Sequence, residues 1–155
     1  LLGEDHPFLG GAIAMFREKY ERDLAEVFKK ERLEQVVCFF EYFGARSFAG
    51  FHEADDPHEV KLFDLDVYKR GLIPPRDFYD LVGHLDVAPI LYEGHPNDLF
   101  VQSVKNSALE GMPLEGVICK GLPLKRGYPP VMFKVKSIAW IERLKATRED
   151  WEKYV

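Results

Sequence analysis

Between Gly11 and Leu33, apolar residues recur every three or four positions, and Ile13, Phe16, Tyr20, Leu24, Val27 and Phe28 form one stripe of an amphipathic helix. A stripe of that width has to be buried, so the helix is expected to cover a sheet. The pattern then changes. VVCFFEYFG (36–44) is short and rich in β-branched and aromatic residues, which predicts a central strand with Glu41 inside it. The polar segment SFAGFHEADDPHE reads as a solvated loop leading to a neighbouring strand, VKLFDLDVY (60–68). After Gly71 and Pro74, PRDFYDLVGHL predicts a short helix starting near Pro75, with Gly83 close to its end. VAPILYEG reads as a further strand, Ser103 to Glu110 as a brief helix, and EGVICKG (115–121) as a short strand ended by glycine. A loop of Lys, Arg, Gly and Pro leads to the strand VMFKVKS (131–137), and the terminal SIAWIERLKATREDWEKYV is expected to be helical in its last half. Strands with covering helices in irregular order favour an α+β fold of antiparallel sheets over a doubly wound one.

Four of these strands carry charge where a plain core would not. VMFKVKS places Lys134 and Lys136 on one face and Phe133 and Val135 on the other, because strand side chains alternate. Glu41 interrupts FFEYFG, Asp64 and Asp66 interrupt LFDLD, and Glu115 opens EGVICK. An unpaired buried charge is costly, so these groups are expected to meet at a shared cleft. Two acids there could hold a magnesium ion, lysines could hold a phosphate whose charge grows during reaction, and Phe63 offers a flat face for a base.

The chain has 155 residues, 46% of them hydrophobic, enough for one domain with a real core. No apolar run approaches the roughly 18 to 20 residues of a membrane span, and LLGEDHPFLGGAIAMF has no charged leader or cleavage pattern, so a cytoplasmic protein is expected. Cys38 and Cys119 sit singly in apolar runs, without disulfide or zinc spacing, and read as reduced packing residues. The 26 acidic against 21 basic residues give a formal charge of -5. Binding a polynucleotide through the net field is disfavoured, which leaves a local patch or a missing segment for that task.

The ordered run FFEYFG, LFDLDVYKRG, EGVICK and FKVK resembles motifs III, IIIa, IV and V of the covalent nucleotidyltransferases, the superfamily of ATP-dependent RNA and DNA ligases and mRNA capping enzymes. It is most similar to the phage RNA ligase 2 group, over residues 36 to 137. The resemblance implies a nucleotidyltransferase (ATP-grasp-like) adenylation domain that uses ATP and Mg2+, in which a lysine attacks the α-phosphate to give lysyl-AMP. The AMP then passes to a 5′-phosphate end of RNA, or of DNA, and a 3′-hydroxyl displaces it. Residue by residue, it implies that Glu41 contacts the ribose or helps the metal site, Phe63 stacks on adenine and Asp64 supports that pocket. Glu115 would bind the catalytic metal, Lys120 would lie near the phosphates, and Lys134 and Lys136 would hold the α-phosphate. The nucleophile belongs to a Lys-x-Asp-Gly motif that residues 1–155 do not contain; LLGEDHPF resembles the stretch just after it, so an N-terminally incomplete domain is expected. A nucleotide-binding module without catalysis, a capping-type guanylyltransferase and a DNA ligase are the alternatives.

Each residue also has a plainer reading. Paired strand lysines are common on solvated edges, Glu41 and Glu115 could each be half of an ion pair, Phe63 could be core, and Asp66 could partner Lys69 or Arg70. His52 and His58 lie among acids in a loop without metal-ligand spacing, and His6, His84 and His95 show no pairing signal. Lys125 and Arg126 form a small basic loop suited equally to solvent or to a polynucleotide backbone. No Walker or Rossmann phosphate loop is present.

Overall fold

The computed structural model describes residues 6, 9–45, 47, 51–125 and 128–154. Most of the opening LLGEDHPF, residues 48–50 near the start of the 47–59 loop, and Arg126 lie outside them. The fold is α+β, with a three-stranded and a two-stranded antiparallel sheet. No described helix is long and apolar enough to cross a membrane.

The first helix, α1 (Gly10–Lys30), turns Tyr20 and Leu24 onto the first sheet, with Lys29 and Lys30 in its last turn where the helix dipole favours cations. The buried Tyr20 hydroxyl donates to the Asp86 carbonyl at 2.6 Å and accepts from the Leu62 amide at 3.3 Å. The sheet it covers has the order β1 (Val36–Phe43), β2 (Glu59–Val67), β3 (Gly71–Leu72). The central strand is therefore β2, and β1, expected to be central, is an edge among the described residues. Its run is apolar on both faces up to Glu41 for a different reason: Val36, Cys38, Phe40 and Tyr42 pack toward α1, whereas Val37 and Phe39 are exposed on the opposite face.

The register of β1 on β2 slips at one place. Phe39 lies opposite Asp64 and Phe40 opposite Leu62, so Phe63 is the extra residue of a β-bulge. Val60 and Leu62 are buried before the bulge, and Leu65 and Val67 after it. The change of phase leaves Phe63 and Asp64 adjacent on the face away from the α1 core, with Asp66 on the same side.

Helix α2 (Pro75–Val82) begins at the expected proline and is capped by Gly83. VAPILYEG is not a strand. Val87 makes one parallel bridge to Leu62 and the Ala88 amide donates to the Leu62 carbonyl, but Pro89 has no amide with which to extend the ladder. This short contact is clamped by Asp86, whose carboxylate lies 2.5 Å from Lys19 and also pairs with Lys61; hydrogen bonds from the two lysines hold its pKa below the usual carboxylate range.

In the second half, α3 (Asp98–Lys105) starts earlier than expected because the Asn97 side chain accepts from the Phe100 amide as an N-cap, and it stops at Asn106 before the positive φ of Ser107. Phe100 and Val104 pack under β4 (Gly116–Pro123) and β5 (Pro130–Lys136) against Val117, Cys119 and Val135. The β4 strand is not ended by Gly121; it continues through a register shift to Pro123, opposite Pro130. Helix α4 (Ile138–Thr147) fills the first rather than the last half of the terminal segment, and a 3-10 turn, Trp151–Tyr154, follows. The reason is Ser137, a fully buried N-cap: its hydroxyl accepts from the Trp140 amide at 3.0 Å and donates to the Leu114 carbonyl. The Ser137 amide donates to the Glu115 carbonyl at 3.1 Å, so one residue ties the end of β5 to the start of β4.

At Gly116 the backbone adopts φ +126°, and a Cβ there would stand 2.1 Å from the Val135 carbonyl oxygen and 2.9 Å from the Lys136 Cα. Only glycine permits that approach. Gly116→Ala is expected to destabilise the protein by about 2 kcal/mol or more in urea or thermal unfolding, through strain and forced separation of β4 from β5. An unchanged midpoint would show that the two strands do not close so tightly.

Candidate functional site

Two sheet faces that carry no core look toward each other. On the first sheet the outward residues are Val37, Phe39 and Glu41 of β1, joined by Phe63 and Asp64 at the β2 bulge. On the second, Gly116 pairs with Lys136, Ile118 with Lys134 and Lys120 with Met132, so these six share one face while Val117, Cys119 and Val135 pack on the other. Val37, Phe39, Ile118 and Met132 are all exposed large hydrophobic residues, and together they give the space between the sheets apolar walls.

Side chains cross from one face to the other. Lys120 Nζ lies 2.9 Å from Asp64 Oδ1, donates to the Phe63 carbonyl at 2.6 Å and stands 5.3 Å from the centre of the Phe63 ring. Asp64 is only 7% exposed, and Lys120 supplies the charge its burial demands. Its negative charge also adds to burial in raising the Tyr79 hydroxyl pKa. The Phe39 ring is 6.5 Å from Phe63, so this end of the cleft is aromatic.

Glu41, Glu115, Lys134 and Lys136 gather toward the other end. Lys136 forms an ion pair with Glu115, with side chains 14% and 28% exposed, and its ammonium sits 4.4 Å from the centre of the Trp140 ring. The Glu41 carboxyl titrates above its ordinary range, chiefly because surrounding protein removes solvent from it and further because of the negative charge of Glu115; Lys134, Lys136 and His52 pull in the opposite direction. Glu41 keeps an open surface to solvent even so. Two carboxyl groups and two lysines thus lie within one another's field at this end of the cleft.

The seven expected site residues are thus placed in one cleft but in two groups. Glu41, Glu115, Lys134 and Lys136 are together, and Phe63, Asp64 and Lys120 are together. At roughly 3.3 Å per strand residue, Lys120 is about 13 Å along β4 from Gly116, so its ammonium belongs to the aromatic end and not to the pair of β5 lysines. Asp66 lies opposite Leu72, and Lys69 lies over the Tyr68 ring at 5.2 Å.

The loop histidines have local partners. His52 Nδ1 is 3.0 Å from Asp56, and His58 stacks on Tyr42 with ring centres 4.8 Å apart. Among the described residues no group of three or more His, Cys, Asp or Glu is placed to hold a metal. The donor set nevertheless fits magnesium, which takes one or two carboxylates and completes its shell with water and substrate phosphate; Glu41 and Glu115 supply that number. Burial pushes the Cys38 thiol up to about 11 and raises that of Cys119, which suits inert packing residues. Sequence reasoning missed Phe39 as a wall, His52 in the field of Glu41 and Trp140 beneath Lys136. The last had a readable signal, a serine N-cap after FKVK that sends the third helical residue back over the strand end.

Comparison with family models, with curated proteins and with solved structures finds no match to this chain.

Because the native Glu41 carboxyl is raised, the folded protein holds a proton that the unfolded chain has already lost across the interval between the two values. Stability therefore falls as pH rises through that interval. Glu41→Gln is expected to raise the melting temperature at pH 7 and to lose that advantage below about pH 4, where the wild-type carboxyl is protonated in both states. A lower melting temperature for the glutamine variant at pH 7 would mean that Glu41 is a structural ion-pair partner.

Proposed function

We propose that this chain forms the nucleotide cleft of a covalent nucleotidyltransferase of the ATP-dependent RNA ligase type. The observation that carries the reading is the meeting of Glu41, Glu115, Lys134 and Lys136, from separate elements, at one end of a cleft whose other end is lined by Phe39, Phe63 and Met132. A base suits the aromatic end, phosphates suit the lysines, and the strand length between them leaves room for a sugar. The four motifs in order support the same assignment from the sequence side.

In this reading ATP is the substrate. As the α-phosphate is attacked, a nitrogen–phosphorus bond forms and the bond to pyrophosphate breaks, while charge builds on the oxygens around phosphorus. Lys134 and Lys136 are fixed cations at that point, and their attraction grows as the charge does, so they favour the transition state over bound ATP. Magnesium held by Glu115 and Glu41 would supply further charge neutralisation when bound. Phe63 orients the base by stacking, with Lys120 and Asp64 holding its backbone in place. The strand joined is RNA, with DNA as the alternative, and the ends used are a 5′-phosphate and a 3′-hydroxyl.

A second reading is a nucleotide-binding module that does no chemistry: the Lys136–Glu115 pair already satisfies both charges at the phosphate end without a reaction. Intact mass of the natural gene's product, before and after ATP and Mg2+, separates the two. Gain of one AMP establishes the transferase, and saturable ATP binding without an adduct establishes the module. A preference for GTP in either assay would point to the capping-type enzyme.

Both readings require the same cleft. Calorimetric titration of ATP with Mg2+ is expected to show binding that weakens about 10- to 100-fold in Lys134→Met or Lys136→Met, the range for losing a charge-assisted contact to phosphate. Phe63→Ala should weaken adenosine as well as ATP, whereas the lysine variants should leave adenosine affinity nearly unchanged. Equal ATP affinity in all three variants would remove the cleft assignment.

A further inference from the structure

The nucleotide reading leaves unexplained how a flexible lysine at the end of a strand is kept aimed into the cleft. Lysine carries four rotatable bonds, and holding it costs about 2 kcal/mol of rotamer freedom. Lys136 has two restraints. Glu115 takes its charge on one side, and on the other the ammonium rests on the Trp140 ring, 4.4 Å from its centre. Trp140 itself is 1% exposed and fixed at its backbone by the Ser137 cap.

The next contact comes from the opposite sheet. Phe51, in the loop between β1 and β2, meets the Trp140 ring edge-on at 6.5 Å, and the Arg143 guanidinium lies 4.3 Å from the centre of the Phe51 ring. Phe51 has φ +52°, a backbone conformation that a bulky residue adopts only when its surroundings hold it there. Its neighbour His52 lies in the electrostatic field of Glu41. Arg143, Phe51, Trp140 and Lys136 thus form a continuous stack from α4, through the loop of the first sheet, to the phosphate end of the cleft.

We propose that Trp140 and Phe51 are positioning residues for Lys136, and that phosphate binding is coupled to the β1–β2 loop through this stack. The inference rests on the nucleotide-cleft reading. Trp140 presents a π-face that holds the ammonium without neutralising it, so the charge stays available to a phosphate. A carboxylate alone would not do so: it would hold Lys136 in a pair that the incoming phosphate has to break. Phe51 keeps the indole from tilting and links that orientation to the loop beside Glu41.

The test uses a Trp151→Phe background, so that Trp140 is the one remaining tryptophan, and reads ATP affinity, melting temperature and Trp140 fluorescence together. Trp140→Phe, which keeps an aromatic face, is expected to retain most of the affinity, and Trp140→Leu to lose about 3- to 30-fold, the range of one cation–π contact. Phe51→Leu, a milder change that leaves Trp140 in place, should weaken ATP by a few-fold and reduce the fluorescence change that ATP produces when its phosphate turns Lys136 from Glu115 across the indole face. Adenosine affinity should not change in any variant. If the leucine variants melt earlier but bind ATP as tightly as the parent, Trp140 and Phe51 are core residues only and the proposal is overturned. If the parent binds adenosine but its Trp140 fluorescence does not respond to ATP, the coupling is wrong while the cleft stands. If the parent binds neither ligand, the cleft reading fails and takes this inference with it.

Discussion

The contact between Lys120 and Asp64 joins the two sheets, and the cleft depends on it. Asp64 is buried by the bulge of β2 and needs a cation, and the cation comes from β4 of the other sheet. Removing either partner would leave a charge in a low-dielectric place, a change that costs several kcal/mol when burial is deep. The distance between sheets is thereby set by a charge requirement, not by interlocking apolar side chains. That is why Val37, Phe39, Ile118 and Met132 can remain exposed on facing surfaces without collapsing onto one another.

The opposite end of the cleft obeys a different rule. The Glu41 carboxyl is raised chiefly because the surrounding protein removes solvent from it, with the charge of Glu115 adding to that and Lys134, Lys136 and His52 opposing it. Proteins tolerate such local strain where charge is wanted for something other than stability. The first group of charges is satisfied and structural, and the second is held partly unsatisfied. Phe63 belongs to the first group, its carbonyl receiving Lys120 and its ring lying beside the same ammonium.

Element types and most of the charged positions were legible in the sequence because each has a local cause. The stripe from Ile13 to Phe28 is helical by periodicity, and VMFKVKS alternates as a strand must. What was not legible depends on partners distant in the chain. The edge position of β1 follows from the order of three strands, and an apolar run reads the same whether its second face meets a helix or a cleft. VAPILYEG resembles a strand until Pro89 is weighed against the ladder it would have to join. The early start of α3 and α4 came from Asn97 and Ser137, whose capping bonds are local and could have been read. The bulge left a trace as well: VKL and DLDV each alternate but in opposite phase, and Leu62 and Leu65, three apart and both buried, mark Phe63 as the extra residue. The separation of Lys120 from Lys134 and Lys136 follows from strand register, which motif order does not contain.

The choice of lysine over arginine on β5 fits the cleft reading on physical grounds. An arginine opposite Glu115 would form a planar bidentate pair, rigid and hard to exchange, whereas a lysine ammonium is a compact charge with three donors that can change partners. When a phosphate enters with a divalent cation, Lys136 can turn from Glu115 to phosphate while Glu115 turns from Lys136 to the cation. The exchange leaves each buried charge paired before and after, so the desolvation cost is met once, in folding, and not again at each binding event. An indole beneath the ammonium supports such an exchange, since its attraction persists whichever anion Lys136 faces. On the proposed nucleotide-cleft reading, the Lys136–Glu115 pair is a resting arrangement of binding groups as well as a stabilising contact.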